Sequence, residues 1–508
     1  MIGQPFLEDR LIGQPFFGGS SIFRYQPLNV QLIAKFCGGK ICQGEASDHL
    51  RDSSKTMRRQ LVCSNGLARG DGRLRIDEGH VRGSPGIHPL TFFFSAGEPS
   101  GDLHAATLLQ ELRRRHPAIL ATGFGGRQLA LAGCHLQADL TQLAIMWFGR
   151  VFSCLPYFLR LAGRANRLFR KNPPAAVILV DYPGFNWWVA RLARRQRIPV
   201  IYYVPPQIWA WARWRVGKMR RLVDLVLCTL PFEAEFFRRH NCPAIYIGHP
   251  FFDHLAGKQL DERWIAQLSS VGGPWVTLLP GSRFQELEAN FETQLQVARR
   301  VYLARPDVRF AVAAYSEQQA AWLRERAKGW DLPLEIWAGR TQELIRLARC
   351  CVAVSGSVAL ELMYYERPSV ILYRIGPGAW WAQGFFRQVR YICLVNLLAA
   401  EDPLSAGRRW PALDDQQGMV YPEYLTYRDP SPSIAVQVLR WLGDDRAWAE
   451  CVAKLRRLKS NFARPGAAAS AAECILDWLY CRLSPAGFTR PDLPHLQPPV
   501  IIQKHAAG

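Results

Sequence analysis

The sequence predicts an α/β protein built from two Rossmann-like, doubly wound units facing a cleft. Three observations predict it. From Leu90 onward short apolar runs alternate with stretches of helical period, the alternation restarts once near Trp275, and polar, glycine-bearing turns follow several of the runs. Ligands of such sheets bind beyond the carboxyl ends of the strands, so those turns are where chemistry is expected.

The elements follow in order. Residues 1–89 repeat "IGQPF" and continue into the charged, glycine-rich "RGDGRLRIDEGHVRGSPG", which reads as a low-complexity, disordered leader outside the working protein. In the first unit, 90–248, the strand-like runs are "LTFFFSA", "AAVILV", "PVIYYV", "DLVLC" and "AIYIG", with helical stretches at 101–115, 185–196 and 232–240. The junction is read at "GHPFFDHLAGK", 248–258. The second unit, 249–483, carries "WVTLLPGS", "DVRFAVAAY", "LEIWA", "CCVAVSG" and "PSVILYRI", then C-terminal helices. A proline-rich tail occupies 484–508.

Composition narrows the function classes. The chain has 508 residues, 49% of them hydrophobic, and 63 Lys and Arg against 42 Asp and Glu give a net charge of +21. That excess favours polyanionic partners: nucleic acid, an anionic membrane surface or a phosphorylated substrate. Thirteen cysteines without a C-x-x-C pair point to a reducing cytoplasm, with neither a zinc site nor a disulfide frame. No signal peptide is legible, and no stretch reaches the about 18 apolar residues of a membrane span.

Four turns are candidates for chemistry. "FFFSAGEPSGD" places Glu98, Ser100 and Asp102 between a strand and a helix, where two carboxylates would repel phosphate, so the turn is either structural or suited to a neutral or polyhydroxylated ligand. "VDYPGFN" sets Asp181 at a strand's end, as a general base or as an Asx-turn, with Asn186 in the helix beyond. "LLPGSRFQELE" joins Gly281, Ser282, Arg283 and Glu286 at a helix start, either a diphosphate site or a helix capped by Ser282. "SGSVALE" repeats the logic with Gly356, Ser357 and Glu361, a carboxylate for ribose hydroxyls or one that answers the helix dipole. No aspartates lie two apart and no P-loop is present, so the leaving diphosphate is expected to be met by Arg283 and helix N-termini rather than by a metal.

Basic and aromatic residues cluster at "PPQIWAWARWRVGKMRR", around Trp209, Trp211 and Trp214, and at "AWWAQGFFRQVR". In "LPYFLRLAGRANRLFRKN", Arg160, Arg164, Arg167 and Lys171 share one helical face and Phe158, Leu161, Ala165, Leu168 and Phe169 another. That pattern suits a membrane interface, or a solvated face over a buried one.

Taken in series, "SAGEPSGDLHAATL", "DYPGFN", "YYVPPQIWAW", "LPFEAEFF", "GHPFFD", "LPGSRFQELE", "SGSVALE", "LYRI" and "VNLLA" resemble the lipid-A-disaccharide synthase family from about Phe92 to Asn396. The resemblance implies a metal-free, inverting GT-B glycosyltransferase with no cofactor, peripheral on the cytoplasmic face of the inner membrane. It would join UDP-2,3-diacylglucosamine to the 6-hydroxyl of 2,3-diacylglucosamine 1-phosphate (lipid X), without a nucleic-acid partner. Asp181 then matches the family's base, Glu98, Ser100 and Asp102 the acceptor turn, and Arg283, Glu286, Glu361 and Asn396 the donor motifs. Where the family has M-G-x-x-E-V-L this chain reads "MWFGRVF", so Trp147 replaces the glycine and Arg150 the glutamate. Two other readings stand beside it: a different UDP-sugar enzyme of the same fold, and a basic RNA- or membrane-binding module without catalysis.

Overall fold

A computed structural model of the chain describes residues 90–141, 155–405 and 418–483. The readings of 1–89, of Trp147 and Arg150, and of 484–508 lie outside the described residues.

The first sheet has seven parallel strands: β1 (Thr91–Ala96), β2 (Leu120–Gly125), β3 (His135–Asp139), β4 (Ala176–Val180), β5 (Val200–Tyr203), β6 (Leu225–Cys228) and β7 (Ala244–Tyr246). Their order is β3-β2-β1-β4-β5-β6-β7. The second has six parallel strands: β8 (Trp275–Leu279), β9 (Arg309–Ala314), β10 (Leu334–Ala338), β11 (Cys350–Val354), β12 (Ser369–Arg374) and β13 (Glu423–Thr426), in the order β10-β9-β8-β11-β12-β13. Central strands are covered on both faces, which is why their sequences are nearly unbroken apolar runs such as "FFF" and "AVILV". The sequence reading missed β2, β3 and β13. β2 carries two glycines, β3 is a half-buried edge strand rich in polar residues, and β13 begins with a buried Glu423.

The helices Pro99–Arg115, Pro183–Arg195 and Pro231–Arg239 each start one or two residues earlier than expected. Proline fills the first turn, where its missing N–H has no intrahelical partner to lose.

In each sheet the winding reverses once, between β1 and β4 in the first and between β8 and β11 in the second. A crevice opens at such a reversal because the two strands send their chains to opposite faces. The four candidate turns follow these four strands.

One assignment changes. The last helix, Ala467–Leu483, was expected with the second unit, but Ala471, Ala472, Ile475 and Leu479 share a core with Phe92, Phe94 and Ile178 of the first sheet. The chain crosses back, and Asp253 pins the crossing: its carboxylate accepts the N–H groups of Gly466, Ala467 (3.2 Å) and Ala468 (2.9 Å). A second tie is Arg213, which donates to the carbonyls of Gln388 (2.8 Å) and Leu404 (2.6 Å). Val389, Tyr391 and Leu397 join the core under the first sheet.

Candidate active site

At the first crevice, Glu98 stands after β1 and Asp181 after β4. Glu98 opens the helix Pro99–Arg115 in extended backbone, yet its side chain caps nothing, so the carboxyl is left to the crevice. Asp181 and Tyr182 follow one another in the left-handed region, at φ 44° and 45°. For non-glycine residues that conformation costs about 1–3 kcal/mol each and persists only where its surroundings enforce it. Here the Asn186 amide donates to the carbonyls of Asp181 (2.7 Å), Val180 (3.2 Å) and Ser95 (3.2 Å), while Ser95 Oγ donates to Asn186 Oδ1 (2.6 Å). The Tyr202 hydroxyl also donates to the Asp181 carbonyl at 2.7 Å. The Tyr182 ring lies where a side chain on residue 97 would be, 2.3 Å from an ideal Cβ, so only glycine allows the two turns to meet.

Charge concentrates in this crevice. Burial pushes the Asp181 carboxyl up to about 7, with the neighbouring Glu98 adding to the rise and the guanidinium of Arg283 opposing it. Glu98 is raised by burial and drawn down by the same Arg283. An arginine from the second sheet therefore acts on both carboxyls of the first. A carboxyl poised near neutrality suits a general base.

Two expectations for these turns are corrected. Asp102 does not face a sugar: it is buried, and its oxygens accept the N–H groups of Gly126 (2.6 Å), Gln128 (2.9 Å) and Leu129 (3.3 Å), anchoring the turn after β2. Asn186 is fully buried and positions Asp181 rather than a ligand. Ser100 is exposed beside Glu98.

At the second crevice, Arg283, not Ser282, is the N-cap residue of the helix Phe284–Ala304 after β8, and the capping acceptor is the Glu286 carboxylate rather than the N-cap side chain. Glu286 Oε2 accepts the N–H of Ser282 (2.9 Å) and of Arg283 (3.3 Å). The turn thus holds an internal anion on the N–H groups expected to meet diphosphate, and Glu286 shapes the turn. Gly281, at φ 121°, is required because a Cβ there would lie 2.5 Å from that of Glu286. Arg283 reaches Glu286 at 3.4 Å with its side chain 46% exposed, an exposed pair worth under about 1 kcal/mol, so its guanidinium can turn to a ligand.

After β11, Gly356 and Ser357 are exposed and nothing lies within 4 Å of where a Gly356 side chain would begin. Glu361 sits in the helix Val358–Tyr364 (7 residues); burial raises its carboxyl to about 7, and Oε2 accepts from Gln342 Nε2 at 2.7 Å. Asn396 belongs elsewhere. Its amide donates to Tyr421 O (2.7 Å) and Glu423 Oε2 (3.2 Å) and its oxygen accepts from Val420 N (3.1 Å) and Tyr421 N (3.0 Å), so it organises the approach to β13 with no bond left for a donor.

The aromatic and basic clusters also divide. Trp209 is core, its indole donating to Glu233 Oε1 at 2.9 Å, whereas Trp214 is 60% exposed. In the helix Leu155–Lys171, Leu161, Ala165 and Phe169 pack into the core, Phe169 against Phe93 at 4.9 Å between ring centroids. The apolar stripe is thus buried, and Arg160, Arg164 and Arg167 form the outer face with exposed Leu155 and Leu159. Among the described residues no helix is long and apolar enough to cross a membrane.

A family model described as lipid-A-disaccharide synthetase matches residues 92–404, the stretch that builds both crevices. The chain belongs to the lipid-A-disaccharide synthase family. The lipid-A-disaccharide synthase of Myxococcus xanthus is 33% identical over 396 residues, covering 77% of this chain and 98% of the relative. That of Anaeromyxobacter dehalogenans (strain 2CP-1) is 34% identical over 387 residues, covering 75% and 95%. Among solved structures, an S. aureus MnaA–UDP co-structure superposes with a TM-score of 0.51 at 10% identity, covering 79% of this chain and all of that one. At that identity the likeness shows the fold alone. The lipid-A-disaccharide synthase family is a glycosyltransferase family, so this chain is a glycosyltransferase with the expected two-sheet α/β architecture.

Several site residues escaped the sequence reading because their roles depend on distant partners. Ser95 and Tyr202 hold Asp181, Lys258 and Gln342 approach Glu361, and Glu233 holds Trp209. For Ser95, Tyr202 and Glu233 the sequence signal was a polar residue inside a mainly apolar stretch, and Lys258 and Gln342 lie in ordinary polar segments with no such signal.

Proposed function

We propose that the enzyme transfers diacylglucosamine from UDP-2,3-diacylglucosamine to the 6-hydroxyl of lipid X, with inversion, releasing UDP. The observation that carries the reading is the Asp181 and Glu98 pair at one crevice, within the field of Arg283 from the other. Asp181 takes the proton of the 6-hydroxyl as that oxygen attacks the anomeric carbon. The bond to the diphosphate breaks with its electron pair going to UDP. Arg283 and the exposed turn at Gly356 and Ser357 meet the growing charge, an electrostatic contribution that is largest where charge develops. Glu98 and Ser100 receive hydroxyls of the acceptor, and Glu361 those of the ribose.

The lipid substrates would be drawn from an anionic membrane surface on the cytoplasmic side. Leu155, Leu159 and Trp188 are 45%, 49% and 47% exposed, and Arg160, Arg164 and Arg167 stand near the two leucines on the same helix. Apolar groups rimmed by arginine suit an interface of acyl chains and phosphate. The test is incubation with UDP-2,3-diacylglucosamine and lipid X followed by mass analysis. Disaccharide 1-phosphate formed with one UDP per product is the expected result; UDP release without the disaccharide would overturn the acceptor assignment.

A further inference from the structure

Three separate segments converge behind the turn after β11. Lys258 lies within the connection between the sheets, directly after the helix Phe251–Gly257. Its ammonium donates to Gln342 Oε1, and Gln342, in the helix Thr341–Leu347, donates through Nε2 to Glu361 Oε2 at 2.7 Å. The order of donors is forced: an ammonium can only donate, so the amide oxygen must face Lys258 and the amide nitrogen must face the carboxylate. Glu361 is thereby held through Oε2.

We propose that Lys258 and Gln342 are positioning residues that fix Glu361 as the acceptor for the vicinal hydroxyls of the donor's ribose, making the connection between the sheets part of nucleotide recognition. The proposal rests on the reading that the donor is a UDP-sugar. Chemistry supports it in two ways. A carboxylate can accept from two hydroxyls, whereas the protonated form, favoured by burial, would offer a donor in place of one acceptor. The positive charge of Lys258 works against that burial. No other charged side chain is in so direct a line with Glu361 through hydrogen bonds among the described residues.

The experiment is calorimetric titration of the full-length protein with UDP and with 2′-deoxy-UDP. Wild type is expected to prefer UDP by about tenfold or more, the scale of one charge-assisted hydrogen bond. Lys258→Met and Gln342→Leu should bring the two affinities together by weakening UDP alone, while Lys258→Arg keeps the preference. Failure of wild type to bind UDP would overturn the donor reading itself, whereas binding both nucleotides equally would overturn the ribose role of Glu361 and the relay with it. A wild-type preference that survives in both Lys258→Met and Gln342→Leu, or equal weakening of both nucleotides, would overturn the relay and leave it as a tie between elements. Melting curves of each variant separate misfolding from lost recognition, and Lys258→Arg provides a folded reference.

Discussion

Asp181 and Glu98 show how far position after a strand predicts a role and where it stops. Both carboxylates, with Arg283, were legible because each follows an apolar run. Asp102, Asn186, Glu286 and Asn396 lie in equally suggestive motifs, yet their side chains turn inward to backbone groups. Sequence does not record which way a polar side chain points at a tight turn. Asp181→Asn should lower kcat by about a hundredfold or more while UDP affinity stays near wild type, within the usual range for losing a general base. Single-turnover rates and UDP titration check this, and near-normal turnover would return Asp181 to a turn-forming role. Because its carboxyl is raised to about 7, kcat/KM should climb with pH through that region. Glu98→Gln removes a neighbour that raises Asp181, so the limb should move to lower pH. For stability the sign is opposite: from the unfolded value of about 4 up to about 7 the folded state binds the extra proton, so this group's contribution falls as pH rises.

Among elements, most central strands were readable because burial on both faces demands unbroken apolar sequence, while β2 with its two glycines and edge strands β3 and β13 were not. The helix Leu155–Lys171 was readable as amphipathic, but periodicity alone did not say that its apolar side belongs to the core. Its outer face is left for the membrane reading. Arg160→Glu with Arg167→Glu should release the protein from anionic vesicles, each basic residue near such a surface being worth about 1 kcal/mol. Co-sedimentation at matched salt measures it, and unchanged binding would assign that face to solvent. Asp253→Ala removes an acceptor shared by three N–H groups at the start of the last helix. A drop of about 1–2 kcal/mol in unfolding free energy, the upper range for lost helix caps, is expected in thermal denaturation.

For the whole molecule, the electrostatics of one crevice include a residue of the other. Arg283→Ala should weaken UDP binding and slow turnover by a few kcal/mol in total, as for loss of a preorganised donor. It should also shift the activity limb to higher pH, since Arg283 lowers both Asp181 and Glu98. An unshifted limb with weakened UDP binding would confine Arg283 to the donor side.

The returning helix Ala467–Leu483 sets a schedule for synthesis. Strands β1 and β4 leave the ribosome long before the segment that covers Phe92, Phe94 and Ile178, and the roughly 220 residues between Gly248 and Ala467 take on the order of 10–40 s to add at 5–20 residues per second. Throughout that interval this face of the nascent first sheet is covered only in part, by the helix Pro99–Arg115, which makes it a candidate client for holding chaperones. A fragment of residues 90–258 should accordingly precipitate when made alone, and co-expression of residues 464–483 should keep part of it in solution.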